Sequence, residues 1–399
     1  MASVRVFVTG IGIVSAIGNN MEETLLAIKS QKSGIGAIRF LDTIHSNDFP
    51  SGEVHLSDLQ MIEKLNLDKD VPFTRSVLMA MISAKEALLD AGIEDINKHR
   101  TGLISGTTVG GMEKSEMYYN LFLSEEAPHK FSEEHDCGRT TERIADYLGI
   151  KEFVTTISTA CSSAANAIMF GVRLIKNGLL DRVVVGGTEC LTKYHLNGFN
   201  TLMILDKNVC KPFDKNRKGI NLGEGAAYLV IEGEHVIEQN RKKLCEITGY
   251  ANSCDAFHQT ATSPNGEGPY LAMKKALEVS GLNPDDIDYV NAHGTGTDNN
   301  DISEGNSIQR IFGDKIPKVS STKSLTGHAT SAAGSIEAVL CILGMQHNFV
   351  LPNLNFTEKI DELNFSPVTE LLENQKLNHI MTNSFGFGGN NTSLIFSAI

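Results

Sequence analysis

Two stretches of the sequence, S-T-A-C-S-S-A-A-N-A-I at residues 158–168 and T-G-H-A-T-S-A-A-G-S-I at residues 326–336, decide the fold. Each stretch is rich in small residues and opens an apolar segment of helical length. When the shared S-A-A triplets are aligned, His328 lies almost level with Cys161. The repeat predicts two similar halves, in which two helix N-termini meet at one centre. Small residues also let buried helices pack closely, but a thiol and an imidazole at matched positions favour a site.

The rest of the chain alternates short strand-like segments with longer helical patterns such as Val77–Ala91, which is typical of an α/β protein. The strand-like segments are Val4–Val8, Arg182–Val185, Ala227–Ile231, Tyr289–Ala292 and Ser393–Phe396. The charged stretch Glu232–Lys243 is the best internal boundary, because a new strand is predicted to start at Leu244. We therefore predict an N-terminal half at residues 1–243 and a C-terminal half at residues 244–399.

Composition and charge restrict the class of protein. Of 399 residues, 41% are hydrophobic and 21% are charged, and no apolar run approaches the roughly 18 residues of a membrane-spanning helix. The formal charge of −13 disfavours nucleic acid and anionic membranes as partners. The N-terminus, MASVRVFVTG, leads directly into a strand-like alternation, so we expect no signal or transit peptide and a cytoplasmic location.

Seven cysteines are scattered through the chain without a CxxC pair, which predicts reduced thiols instead of disulfides or a structural zinc site. Cys161 follows the strand-like Phe153–Ile157 and opens a helix, whose dipole and free N–H groups favour a thiolate. An isolated buried cysteine is usually structural. Because Cys161 stands at a strand-to-helix turn among Ala and Ser, we interpret it as a nucleophile.

Two histidines and a lysine are candidate partners of this thiol. His293 ends a short apolar strand and enters the glycine-rich H-G-T-G-T, although a histidine there could also simply cap the strand. Lys323 and His328 share the loop K-S-L-T-G-H. A lysine in so small and uncharged a stretch is predicted to be buried and to need a carboxylate, for which Glu304 and Asp301 are the candidates.

The segment N-S-F-G-F-G-G at residues 383–389 combines aromatic rings with glycines. Its backbone could offer an N–H group to an oxyanion, or it could be a plain tight turn between strands. Phe385 and Phe387 lie beside these glycines and are predicted to gate a narrow pocket. The N-terminal V-T-G-I-G-I-V-S is not a dinucleotide fingerprint, because Ser15 occupies the third glycine position and no acidic residue follows at the expected spacing.

Together these segments resemble the β-ketoacyl-[acyl carrier protein] synthases of the elongating type over nearly the whole chain. The motifs that carry the resemblance are R-V-F-V-T-G-I-G-I-V-S at residues 5–15, T-A-C-S-S-A at 159–164, K-P-F-D-K-N-R-K-G-I-N-L-G-E-G-A at 211–226, D-A-F-H at 255–258, H-G-T-G-T at 293–297, T-K-S-L-T-G-H at 322–328 and N-S-F-G-F-G-G at 383–389. Each motif alone is a weak signal, but their joint order is specific. The resemblance implies a thiolase-like α/β fold of five αβαβα layers and two pseudosymmetric halves.

The resemblance also implies roles for individual residues. Cys161 would accept the acyl chain, and His293 and His328 would assist decarboxylation of a malonyl thioester. The N–H groups of Cys161 and Phe387 would form the oxyanion hole. The chemistry suits these groups, because cysteine holds an acyl group as an activated thioester and an enolate oxygen needs hydrogen-bond donors.

Further implied roles concern the surroundings of this site. Lys323 and Glu304 would form an ion pair, with Asp301 as a second supporting carboxylate, and Thr295 and Thr297 would bind the phosphopantetheine arm. The implied partner is acyl carrier protein, and no metal or redox cofactor is required. A dimer is implied in which the strand before the nucleophile pairs across the two-fold axis, with a second copy or with a related chain-length subunit.

The predicted activity is that of an acyltransferase, a 3-oxoacyl-[acyl carrier protein] synthase. Several positions depart from the family pattern: Asp298 replaces a usual proline, Asn390 a common threonine and Ile220 a usual phenylalanine, and the stretch Lys193–Lys211 is shorter than usual. These changes flank the acyl pocket and the carrier entrance. They leave ordinary fatty acid synthesis and a specialised polyene or polyketide pathway as alternatives.

Because such carriers are acidic, we predict that the carrier docks on a small basic area. The candidate cations are Lys64, Lys69, Arg75, Lys130 and Lys207.

Four other functions compete with chain elongation. A non-catalytic chain-length partner shares the fold and motifs but typically lacks the nucleophile, whereas Cys161 is present. A thiolase condenses without decarboxylation and is less compatible with His328 and Lys323. A serine hydrolase would need G-x-S-x-G, and a Cys/His metal site would need short ligand spacing; neither pattern occurs around the nucleophile.

Overall fold

The computed structural model describes residues 4–122 and 132–399, which form twelve strands and eleven α-helices. The strands are β1 (Val6–Ser15), β2 (Ile35–Gly36), β3 (Ser51–Gly52), β4 (Thr101–Gly106), β5 (Phe153–Ile157), β6 (Arg182–Glu189), β7 (Gly225–Gly233), β8 (Cys245–Cys254), β9 (Tyr289–Asn291), β10 (Lys318–Ser320), β11 (His379–Gly386) and β12 (Asn390–Ser397). The helices are α1 (Met21–Lys29), α2 (Asp58–Leu65), α3 (Arg75–Asp90), α4 (Met112–Phe122), α5 (Cys137–Leu148), α6 (Ser163–Lys176), α7 (Lys193–Thr201), α8 (Glu267–Ser280), α9 (Asp298–Phe312), α10 (Lys323–Thr326) and α11 (Ala333–His347).

Ten strands join into one sheet in the order β10-β9-β11-β12-β8-β1-β7-β6-β4-β5. Each half contributes five strands to this sheet: β1 and β4–β7 from the first half, and β8–β12 from the second. Numbered within each set of five, the strands lie in the order first, fifth, fourth, second and third, outward from the centre of the sheet. The strand directions match as well: β4 runs parallel to β5 and β6, as β9 does to β10 and β11, while β7 and β12 are antiparallel to their neighbours. The repeat predicted from the two small-residue stretches is therefore a repeat of the fold.

The two halves are layered by the alternation of side chains along each strand. In β6, Val183 and Val185 pack in the core cluster that contains α6 and α11, whereas Val184 packs on the opposite face with α3. Both α6 and α11 contact strands of both halves, while α3 covers the outer face of the first half and α8 that of the second. This arrangement gives the five αβαβα layers that were predicted.

The two central helices meet at their N-terminal ends, where the chain needs small residues. A Cβ added at Gly334 would lie only 2.9 Å from Ala165 Cβ, a distance too short for any side chain. The far ends of the same helices are capped by Asn177 and Asn348, close to where the sequence predicted them to stop. The N-terminal ends thus converge on the centre that carries the predicted site.

The halves themselves are joined along the sheet by a short contact, because β1 and β8 pair only through Phe7–Glu246 and Val8–Cys245. The strands of the first half end at Gly233, and those of the second begin at Cys245. We keep the boundary at residues 243/244 as our proposal. Among the described residues, no helix is both long and apolar enough to cross a membrane.

Candidate active site

Cys161 sits on a sharp turn between β5 and α6. The preceding residue, Ala160, has a left-handed φ of 51°, a conformation that costs a non-glycine residue energy and is often found at functional turns. The hydroxyl of Ser163 accepts a hydrogen bond from the Thr159 N–H at 2.9 Å and so closes the turn. The turn leaves the thiol 6% exposed at the N-terminal end of a central helix.

Two imidazoles from the second half face this thiol. Nε2 of His328 lies 3.1 Å from Sγ of Cys161. The ring of His293 lies edge-on to that of His328, with centroids 5.3 Å apart and planes at 83°. Ligand-type atoms of the three residues all lie within 4.8 Å of one another. The structure therefore brings together the thiol and both imidazoles that the sequence singled out.

Burial sets the protonation of these groups. It raises the pKa of Cys161 to about 11, although Lys323 and the backbone N–H groups of Phe387 and Cys161 itself act in the opposite direction. Burial lowers the pKa of His293 and of His328 well below the usual histidine range, and the Lys323 ammonium adds to that effect. At neutral pH the site thus holds a thiol and two neutral imidazoles, and His328 is placed to accept the thiol proton.

Lys323 is buried, as predicted, but its partner differs from the predicted one. Its Nζ lies 2.5 Å from Oε1 of Glu337 and donates to the backbone oxygen of His293 at 2.5 Å. The ion pair expected with Glu304 is wrong, and Asp301 is not the partner either. Glu337 projects from the N-terminal part of α11, which begins five residues after His328. It therefore reaches the ammonium directly and supplies the compensating charge that burial requires.

Glu304 and Asp301 instead hold the glycine-rich loop that follows His293. The carboxylate of Glu304 accepts the backbone N–H groups of His293 and Gly294, both at 2.8 Å. Asp301 accepts the N–H groups of Phe213 at 2.6 Å and Gly296 at 3.1 Å. Burial raises the pKa of Glu304 to about 7. Both carboxylates support the site through the backbone, not through the lysine.

The Lys323 ammonium also fixes the orientation of His293. Its Nζ lies 3.3 Å from Nδ1 of His293. Because an ammonium can only donate, Nδ1 must accept, and the proton of the neutral ring is then on Nε2. His293 thereby presents an N–H donor instead of a second base.

A cavity of about 240 Å³ leads to this site. Cys161, His293 and His328 line it, as do Thr295 and Thr297. The two threonine hydroxyls lie 2.9 Å apart. Other lining residues include Ile204, Lys218, Ile220, Thr260, Thr262, Asp298 and Asn299. Such a channel can admit a thin, flexible chain to the thiol.

Three phenylalanines stand along the same cavity. Phe387 stacks on Phe199, with ring centroids 5.8 Å apart and planes at 20°, and Phe385 lies 6.1 Å from the His293 ring. Phe387 occupies the tight turn between β11 and β12, where Gly388 and Gly389 have φ of 78° and 77°. These angles favour glycine, so the segment forms the tight turn between strands that was one of the two alternatives. The backbone N–H of Phe387 faces the sulfur of Cys161.

The chain matches two protein families in succession, described as Beta-ketoacyl synthase, N-terminal domain, at residues 3–236 and Beta-ketoacyl synthase, C-terminal domain, at residues 244–357. The chain belongs to the beta-ketoacyl synthase family. It is 34% identical to a 3-oxoacyl-[acyl-carrier-protein] synthase 2 of Coxiella burnetii, with 99% of both chains covered. As a beta-ketoacyl synthase, the chain is an enzyme of the acyltransferase class.

Solved structures of beta-ketoacyl synthases superpose on nearly all of the chain. The ishigamide ketosynthase/chain length factor structure has a TM-score of 0.93 at 30% identity and full coverage of both chains. A ketosynthase in complex with its chain length factor from Xenorhabdus doucetiae has a TM-score of 0.87 at 30% identity, with 99% of this chain and 98% of that chain covered.

Sequence reasoning missed two residues of this synthase site. Glu337 is the only charged residue in the apolar A-G-S-I-E-A-V-L-C-I-L of α11, and such an isolated carboxylate is a usable signal for a buried ion pair. Phe199 lies in the stretch already noted as short, but nothing in its neighbours indicated that it would stack on Phe387.

The basic residues chosen for carrier docking divide into three groups. Arg75 is wrong as a docking residue, because it is buried and bound to Glu224 at 2.6 Å and to Asp58 at 3.0 Å. Lys130 lies outside the described residues. The remaining candidates, Lys64, Lys69 and Lys207, are exposed.

Proposed function

We propose that this beta-ketoacyl synthase condenses an acyl group held on Cys161 with malonyl-[acyl carrier protein], with loss of CO2, to give a 3-oxoacyl-[acyl carrier protein]. The observation that carries the proposal is the 3.1 Å approach of the Cys161 sulfur to Nε2 of His328, with the His293 ring beside them. A thiol, a neutral base and a separate N–H donor are the three groups that the reaction needs.

Acyl transfer comes first. His328 takes the proton of Cys161, and the thiolate attacks the thioester carbonyl of the acyl carrier. The N–H groups of Cys161 and Phe387, which face the sulfur, stabilise the oxyanion. The bond between the carbonyl carbon and the carrier sulfur then breaks, and the carrier leaves as a thiol with the proton from His328.

Decarboxylation and condensation follow on the acyl-enzyme. The bond from the malonyl α-carbon to its carboxylate breaks, CO2 leaves, and the electron pair forms an enolate whose oxygen accepts the Nε2–H of His293. The same oxygen accepts an N–H of His328, whose single ring proton moves from Nδ1 to Nε2 by exchange with solvent after acylation. The α-carbon attacks the acyl carbonyl and forms the new carbon–carbon bond. The bond to the Cys161 sulfur breaks, and the thiolate recovers a proton from solvent through His328. Neither step requires a metal or a redox cofactor.

The partners follow from this chemistry. Thr295 and Thr297 line the channel and would bind the phosphopantetheine arm, while Lys64, Lys69 and Lys207 remain the candidate docking cations for the acidic carrier. The relative from Coxiella burnetii is named as a synthase of 3-oxoacyl-[acyl-carrier-protein], which supports this choice of partner. The seven free cysteines agree with a cytoplasmic protein.

A dimer is part of the proposal. β5 is the outermost strand at one end of the sheet, so one row of its backbone N–H and C=O groups has no neighbouring strand among residues 4–122 and 132–399. Pairing of β5 with an equivalent strand would satisfy these groups. The partner is a second copy or a chain-length subunit; two similar structures that contain a chain length factor favour the second candidate, a synthase that works as a heterodimer.

The test is product analysis by mass spectrometry after mixing the protein with malonyl carrier and a panel of acyl carriers, with and without EDTA. We expect 3-oxoacyl carrier, unaffected by EDTA. Absence of condensation with every primer, for the isolated chain and for the chain mixed with a chain-length subunit, would overturn the proposal.

A further inference from the structure

The hairpin that carries Phe387 is fixed at its base by Asn390. In the antiparallel ladder of β11 and β12, Asn390 stands directly opposite Gly386, so only three residues, 387–389, form the turn between them. The turn has two glycines with positive φ and therefore little intrinsic preference for one position. Whatever holds Asn390 also determines where the Phe387 N–H points.

Three polar groups surround one oxygen of the Asn390 side chain. Oδ1 accepts from Nδ2 of Asn252 at 2.7 Å and from Nδ2 of Asn166 at 2.9 Å, and the hydroxyl of Ser162 lies 2.7 Å away. The two amides use the two lone pairs of a carbonyl oxygen, and the hydroxyl hydrogen is shared with the Thr159 carbonyl, also at 2.7 Å.

Two of these groups belong to the turn and helix of the nucleophile. Ser162 directly follows Cys161, and Asn166 also donates to Thr159 Oγ1 at 2.9 Å. The backbones are in contact as well, because a Cβ added at Gly386 would lie 3.1 Å from the Thr159 oxygen and 3.2 Å from the Cys161 nitrogen. Asn390 is thus a side-chain link between the strand that supplies the Phe387 N–H and the turn that supplies the Cys161 N–H.

We propose that Asn390 is a positioning residue that sets the spacing of the two N–H donors of the oxyanion hole. The inference rests on the proposed acyl transfer to Cys161. Without the link, the glycine turn can move away from the nucleophile turn, and the two donors no longer converge on one oxygen. This role requires an acceptor oxygen two bonds beyond Cβ, as Oδ1 of asparagine is. The hydroxyl oxygen of threonine is only one bond beyond Cβ and cannot occupy the same point.

The experiment compares Asn390→Leu, which keeps the shape but has no acceptor, with Asn390→Asp, which keeps the oxygen. Asn177→Leu is the matched control. The Asn177 side chain donates a hydrogen bond to the backbone oxygen of Arg173, at the end of α6 opposite to the nucleophile. For each variant we would measure the rate of Cys161 acylation from acyl carrier, the rate of CO2 release from malonyl carrier, and the thermal midpoint.

We expect Asn390→Leu to lower the ratio of acylation to CO2 release by about 10- to 100-fold, because decarboxylation relies on the imidazoles and acylation on the paired N–H groups. Asn390→Asp should restore the ratio to within about threefold, and Asn177→Leu should leave it unchanged. A merely structural residue would lower both rates together with the thermal midpoint.

An unchanged ratio in Asn390→Leu, or an Asn390→Asp variant that folds normally but acylates as slowly as Asn390→Leu, would overturn the inference. If Asn390→Leu does not fold, Asn390→Ser, which is too short to reach the amides, is measured by the same criterion. Failure of the wild-type chain to form any acyl-enzyme would instead count against the proposed function, so the two failures are distinguishable.

Discussion

The sulfur of Cys161 lies 3.1 Å from Nε2 of His328, although the two residues are 167 positions apart and belong to different halves of the fold. Each residue stands beside the N-terminal end of a central helix, α6 or α11. The pseudosymmetry therefore brings unlike groups, a thiol and an imidazole, to equivalent places. In the proposed mechanism acylation requires the thiol, whereas CO2 release requires the imidazoles and no thiol, so substitutions of Cys161 and of the histidines should affect the two half-reactions unequally.

Cys161→Gln removes the thiol but places an amide carbonyl near the position of the acyl carbonyl, where it can accept the oxyanion-hole donors. Condensation should vanish, while CO2 release from malonyl carrier should survive or rise. Release of labelled CO2, together with mass detection of the acyl-enzyme, measures both. Loss of CO2 release in this variant would mean that the thiol itself takes part in decarboxylation.

His293→Ala and His328→Ala should have the opposite effect. Some acylation of Cys161 should persist, while CO2 release should fall by about 10²- to 10³-fold, the usual loss when an oxyanion donor is removed. The same two assays apply. Full CO2 release in both histidine variants would contradict the proposed division of labour.

The ion pair of Lys323 with Glu337 predicts a specific pattern of stability. Glu337→Leu leaves a buried ammonium unpaired and should lower the free energy of unfolding by about 3–5 kcal/mol, whereas Lys323→Met with Glu337→Leu should recover most of the loss. Urea unfolding of the single and double variants gives the coupling energy. A cycle with Glu304→Gln in place of Glu337→Leu is the control, and an equal or larger coupling there would restore the partner first predicted.

The raised pKa of Cys161 predicts how its reactivity depends on pH. With a pKa of about 11, the thiolate fraction of the unliganded enzyme should rise about tenfold per pH unit from pH 7 to pH 10. The rate of alkylation by iodoacetamide should follow it. Cys161→Ser is the control for labelling at the other cysteines. A plateau already near pH 7 would show instead a thiolate paired with an imidazolium.

The stacked rings of Phe199 and Phe387 predict a gate made of two parts. Removing either ring, by Phe199→Ala or Phe387→Ala, should slow acylation or blur the order of substrate binding, since each ring positions the other. The double variant should be little worse than either single one, because the stack is already lost. Rapid-mixing measurements of acylation would show this, and unchanged transfer and condensation rates in both single variants would exclude gating.

Carrier docking on exposed cations predicts an effect on KM alone. The double variant Lys64→Glu/Lys207→Glu should raise the carrier KM several-fold at low salt and leave the hydrolysis of small thioesters unchanged. Lys315→Glu is a suitable control, because Lys315 lies away from the site. It forms an ion pair with Asp285, and these two residues precede β10 and β9, whereas Lys323 and His293 follow the same two strands. Equal KM values for both variants would place the docking surface elsewhere.

The sequence was sufficient to predict the repeat and the three side chains that the structure brings together, because both are carried by local patterns. Small residues at matched positions predicted the converging helix ends, and Cys161, His293 and His328 stood in distinctive glycine- and serine-rich loops. These features depend on neighbours along the chain, so they are visible without a structure.

Features that depend on contacts between distant segments could not be predicted in the same way. From the sequence alone, Glu304 and Glu337 could each be the carboxylate that pairs with Lys323. Only the packing of α11 shows that Glu337 contacts the ammonium. Arg75 was predicted to be a docking cation only from its charge and its place near the motifs, whereas the fold places Glu224 and Asp58 around it.

The short contact between β1 and β8 and the wide sequence separation of Cys161 and His328 also have a consequence for biosynthesis. Because synthesis runs from the N-terminus, we expect the first half to fold before His328 has been made, so that Cys161 lacks its imidazole partner for a time. The working pocket is completed only when the second half folds onto the first. In refolding, recovery of enzymatic competence should therefore lag behind recovery of helical signal.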